Sequence, residues 1–190
     1  MLSASTLADH FSKAQPYAPY LATGKEEHQR RWKAVYDRAQ LSPAEQKLVG
    51  SFVRQMNILI LSGTWCGDCV QQVPLIQRIA EGNAAKIDLR IVDRDIDSDL
   101  MKHFRINGGD RVPAVIFMAE DFEFCGLAGD RTLSRYRAIA HRQLGAVCFT
   151  GLTPPDDQEI SITLSDWVNE FERVQLMLRL SARLRQTHGD

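Results

Sequence analysis

The chain has 190 residues, 44% hydrophobic and 25% charged, with a formal net charge of −1, the balance of an ordinary soluble globular protein. No basic excess points to nucleic acid, and no acidic tail is present. The opening MLSASTLADHFSK lacks the basic leader and apolar stretch of an export signal, and no later apolar run approaches the roughly 18 residues of a membrane span, so a cytoplasmic protein is expected.

In chain order, His28, Trp32, Val35, Tyr36 and Ala39 recur at helical spacing with charges on the opposite face, predicting an amphipathic helix. Ser42, Pro43 and Glu45 form a capping-box pattern, which predicts a helix over about 43–55. The four aliphatic residues Ile58 to Leu61, followed by Ser62 and Gly63, read as a short strand buried on both faces. A helix follows from Gly67 to about Ala80, with Pro74 as an expected kink and Gly82 as its stop. KIDLRIVD alternates as a second strand, and SDLMKHFR suits a short helix. VPAVIFM and FEFCG are predicted strands of a hairpin, and DRTLSRYRAIAHRQLG is an amphipathic helix. TGLTPPDDQE reads as a polar connection, and SDWVNEFERVQLMLRLSARLRQ as one long final helix. The expected organisation is a helical extension over 1–50, an α/β domain over 51–145, and a loop and helix over 146–190 packed on the core.

The chain holds four cysteines, and two of them, Cys66 and Cys69, sit three apart on the strand-to-helix turn. In a reducing compartment such a pair is redox-active or metal-binding rather than a structural disulfide. Structural zinc needs four ligands, and no second CxxC or histidine pair follows, so redox chemistry is preferred. On the first turn of a helix the first sulfur lies near unpaired backbone amides and the positive end of the macrodipole, which favours thiolate. Cys66 is therefore the expected nucleophile and Cys69 the expected resolving thiol. Asp68 adds a negative charge that should raise the Cys66 pKa. Cys125 and Cys148 are read as packing residues, and His103 and His141 as packing or surface residues.

The order strand, helix, strand, helix, strand, strand, helix, with WCGDC at the end of the first strand, resembles the thioredoxin superfamily. The resemblance is carried by Trp65 before the first cysteine, Pro74 five residues after the second, Val112 with Pro113 at the start of the third strand, and Gly129 after the fourth. It implies a thioredoxin-like α/β fold, with a central mixed sheet flanked by helices, and a cis bond before Pro113. It also implies a disulfide reductase with Trp65, Gly67, Asp68, Val112, Pro113 and Gly129 along the substrate groove. No metal or cofactor is implied. The expected partners are disulfide-containing protein substrates and an unidentified reductant, not nucleic acid or membrane, for a monomer or homodimer. The sequence departs from the family where a buried aspartate and a nearby lysine are replaced by Ile60 and Asp93, which makes Asp93 the group to inspect as proton acceptor for Cys69. Two other readings are a redox-sensing adaptor that binds a partner through its helical extensions, and an idle scaffold.

Overall fold

The computed structural model describes residues 2–144 and 155–190; Cys148 and the first half of the expected polar connection lie outside them. Four helices precede the first strand: α1 (Ala4–Lys13), α2 (Tyr17–Ala22), α3 (Glu26–Arg38) and α4 (Pro43–Gly50). There follow β1 (Met56–Ser62), α5 (Gly67–Gly82), β2 (Ile87–Asp93), α6 (Ser98–His103), β3 (Ala114–Met118), β4 (Phe124–Gly129), α7 (Leu133–Leu144), α8 (Asp157–Leu180) and α9 (Ala182–His188). The strands form one mixed sheet in the order β2-β1-β3-β4. β1 runs parallel to β2 and antiparallel to β3, and β3 is antiparallel to β4. Every residue of β1 is buried, which is why its sequence is an unbroken aliphatic run rather than an alternating one.

The capping box forms: Ser42 Oγ accepts from the Glu45 N–H, and Glu45 Oε2 accepts from the Ser42 N–H. The other Glu45 oxygen accepts from Ser165 Oγ at 2.6 Å and ties α4 to α8. α4 ends at Gly50 rather than near 55. The reason is tertiary, because Gln175 of α8 accepts from the Val53 and Arg54 N–H groups and donates to the Arg54 carbonyl. Those backbone groups are thereby satisfied outside a helix. The final helix likewise breaks where one continuous helix was expected. Ser181 closes α8 and caps α9, its hydroxyl accepting from the Leu184 N–H. α8 also starts earlier than the pattern suggested, at Asp157, because Asp156 serves as its N-cap. α5 runs through Pro74 and ends at Gly82.

α1 and α2 were not anticipated. Ser3 caps α1, and Leu7 and Phe11, one turn apart, are buried. Between the two helices Gln15 pairs with Ile91 through bonds of 2.9 and 2.7 Å, which occupies the outer edge of β2. Buried residues from the first four helices, the sheet and α8 belong to one continuous cluster, including Leu7, Trp32, Ile60, Phe117, Trp167 and Phe171. Phe117 of β3 meets Phe171 of α8 edge to face at 5.3 Å. Among the described residues, no helix is long and apolar enough to cross a membrane.

Candidate active site

Cys66 is the N-cap of α5 and Cys69 lies in its first turn. The arrangement follows from the end of β1: Gly63 and Thr64 carry the chain over the sheet, and the Cys66 N–H donates to the Gly63 carbonyl at 3.0 Å. A Cβ at Gly63 would stand 2.8 Å from the Trp65 ring, so only glycine lets the indole fold back there. Trp65 stays 43% exposed and carries the Arg94 guanidinium 4.6 Å above its ring centroid. The loop is held from beneath by Trp32 of α3, whose fully buried indole donates to the Thr64 carbonyl at 2.9 Å.

Cys66 is half-buried and Cys69 fully buried. The Cys69 thiol hydrogen-bonds to the Cys66 sulfur and, against the opposing effect of burial, the backbone N–H groups of Cys69 and Asp68 add to it, bringing the Cys66 thiol down to about 7. Burial pushes Cys69 well up, and its bond to Cys66 and the Cys66 charge push the same way, with the Ser62 hydroxyl and the Gly63 backbone N–H opposing. One sulfur is thus ionised near neutrality while the other holds its proton. In the thiol form Cys66 donates to the Val112 carbonyl at 3.5 Å, and the Val112–Pro113 bond is cis.

Of the residues expected at the site, Trp65, Gly67 and Asp68 line the accessible side of the turn, while Val112 and Pro113 are buried against it. Gly129 pairs with Ala114 across β3 and β4. A Cβ there would meet the Pro113 carbonyl at 3.0 Å and Ile106 at 2.5 Å, so this glycine permits a close backbone approach beside the cis peptide. Asp93 pairs in register with Ser62 and its carboxylate accepts from the Asp95 N–H at 2.8 Å. The side chain that acts on Cys69 from β1 is Ser62 instead.

The sequence reading missed the environment of Asp68. Arg131 grips its carboxylate with two bonds of 3.0 and 2.7 Å, and the buried Arg135, itself paired with Glu159 of α8, stands 3.8 Å away. Gln72 of α5 fixes this loop by donating to the Asp130 carbonyl and accepting from the Thr132 N–H. The Asp68 charge still opposes the thiolate, but the guanidinium offsets it. The only sequence signal was the basic pair of Arg131 and Arg135 in DRTLSR, four apart on the way into α7.

Arg131→Gln is expected to unmask Asp68 and raise the Cys66 pKa. Because only the thiolate reacts, iodoacetamide labelling of Cys66 in the wild type should rise with pH through a midpoint of about 7. In the variant that midpoint should move to higher pH, with labelling roughly two- to threefold slower at about pH 6. Identical profiles for the two proteins would mean that Arg131 does not screen Asp68.

Sheet order, flanking helices, the cysteine-bearing helix start and the cis peptide beside it define a thioredoxin-like α/β fold. A family model described as thioredoxin matches residues 14–134, and the chain belongs to that family. The match begins inside the segment 1–50 that the sequence reading set apart as an extension. A crystal structure of a Pseudomonas aeruginosa protein of unknown function is similar at 15% identity with a TM-score of 0.71, covering 92% of this chain and 97% of that one. An HIV epitope-scaffold is similar at 16% identity with a TM-score of 0.63, covering 85% and 97%. At these identities the likeness is one of fold, and it reaches beyond residues 14–134 into the terminal helices. A comparison with curated proteins found no match.

Proposed function

We propose that this protein is a cytoplasmic thiol-disulfide oxidoreductase that reduces disulfides in protein substrates. The observation that carries the reading is the asymmetry of the pair: a half-buried Cys66 whose sulfur faces backbone N–H groups, with a fully buried Cys69 behind it. The Cys66 thiolate attacks one sulfur of a substrate disulfide, the substrate S–S bond breaks, and the second substrate sulfur leaves as a thiolate that takes a proton from water. Cys69 then loses its proton and attacks Cys66 sulfur. The mixed disulfide breaks, the first substrate sulfur leaves, and the substrate has gained two electrons while the Cys66–Cys69 pair has been oxidised. An external thiol or reductase returns the pair to the dithiol. The exposed Trp65 face and the Val112–Pro113 turn fit an extended substrate segment, and Gly67, Asp68 and Gly129 border the same surface.

Insulin reduction with dithiothreitol as donor tests this. The wild type is expected to accelerate precipitation of the reduced insulin chain well above the donor alone, and Cys66→Ser to return it to the background rate. A wild type no faster than dithiothreitol would overturn the reading in favour of a redox-sensing adaptor or an idle scaffold.

A further inference from the structure

Resolution of the mixed disulfide requires Cys69 to become a thiolate, yet its residue is fully buried and burial is the largest of the effects that hold the proton on. A buried anion needs a donor. Two hydroxyls in the same part of the core lack bonding partners of their own. Ser62 Oγ at the end of β1 is fully buried and Tyr20 Oη on α2 belongs to a residue 2% exposed, and neither makes a complete hydrogen bond to any described residue. Burial drives the Tyr20 phenol and the Cys69 thiol upward, and in each case the Ser62 hydroxyl pulls back; the charges of Cys66 and Cys69 are also felt at Tyr20. Tyr20 is located by its ring, which packs 5.9 Å from Trp32, the same residue that holds the Thr64 carbonyl.

We propose that Ser62 is the donor that stabilises the Cys69 thiolate in the resolving step, with Tyr20 as the positioning residue that orients it. When Cys69 ionises, the Tyr20 O–H turns to donate to Ser62 Oγ and the Ser62 O–H to the Cys69 sulfur, bonds that neither hydroxyl makes in the resting pair, and each then polarises the next. No net proton passes along this chain. The Cys69 proton leaves to solvent, the thiolate attacks Cys66 sulfur, and the departing substrate thiolate takes up a proton. The other titratable groups nearby are already placed: Cys66 on the same turn, Asp93 at the end of β2 toward Tyr20, Asp68 held by Arg131, and His28 of α3, whose Nδ1 lies 3.3 Å from Thr64 Oγ1.

The inference rests on the two-cysteine reading, and the aromatic disulfide 5,5′-dithiobis(2-nitrobenzoate) separates the two. Its attack by Cys66 releases one coloured thiolate, and attack by Cys69 on the resulting mixed disulfide releases a second. In stopped flow the wild type should show both releases and Cys69→Ser only the first. A wild type without the second release would sink the two-cysteine reading itself. Given both releases, Ser62→Ala should leave the first unchanged, slow the second by on the order of ten- to a hundredfold, the weight of one hydrogen bond to a charged group, and move its pH midpoint upward. Tyr20→Phe, which keeps the ring, should slow the second release less and shift its midpoint the same way. It carries the test if Ser62→Ala does not fold. A second release with wild-type rate and pH profile in folded Ser62→Ala, or in folded Tyr20→Phe where that variant carries the test, would overturn the inference.

Discussion

Cys69→Ser is expected to hold substrate on the protein as a mixed disulfide, and Cys66→Ser to hold none. The half-buried Cys66 sulfur is the one brought down to about 7, and its partner is buried with its proton retained. Removing the resolving thiol leaves the first attack intact and abolishes release, so the adduct accumulates on non-reducing gels and disappears with dithiothreitol. Removing Cys66 leaves a thiol that substrate cannot reach. Turnover should fall to background in both variants, and only the pattern of trapping distinguishes them. Equal trapping by the two, or wild-type turnover in either, would refute the assignment of roles.

Trp32→Ala should have the largest effect on stability. Trp32 is fully buried, its ring packs near Tyr17 at 5.8 Å and Tyr20 at 5.9 Å, and its N–H holds the Thr64 carbonyl at 2.9 Å. Truncation removes that packing and opens a cavity, for a cost of about 3–5 kcal/mol. Trp32→Phe retains most of the apolar contact and should cost about 1–3 kcal/mol, since the buried carbonyl loses its donor. Urea midpoints at constant slope would measure both. Because Thr64 lies two residues before Cys66, Trp32→Phe should also slow Cys66 alkylation. A loss below about 1 kcal/mol in Trp32→Ala would mean that α3 is not integral to the core.

How much of this could be read beforehand depends on the range of the interaction. The capping box at Ser42, the aliphatic run of β1 and the apolar face of α5 are local patterns, and each marked its element. The end of α4 at Gly50 could not be read locally, because it depends on Gln175, more than 120 residues away in sequence. α1 escaped notice because only Leu7 and Phe11 are buried along it, too few to make a period stand out, and the six-residue α2 contains Pro19.

By itself the sequence determined that two cysteines stand at the junction of a buried strand and a helix, with a tryptophan before them and a Val-Pro pair further on, because strand and helix periods and cap preferences are written in neighbouring residues. Only the tertiary structure decided what surrounds the sulfurs. It brought Arg131 onto Asp68 across 63 positions, Trp32 onto Thr64 across 32, and Val112 onto Cys66 across 46, and it buried the Ser62 and Tyr20 hydroxyls without partners. Contacts of this kind depend on how elements dock. The energy that selects them is burial of the whole core, which no short stretch of residues encodes.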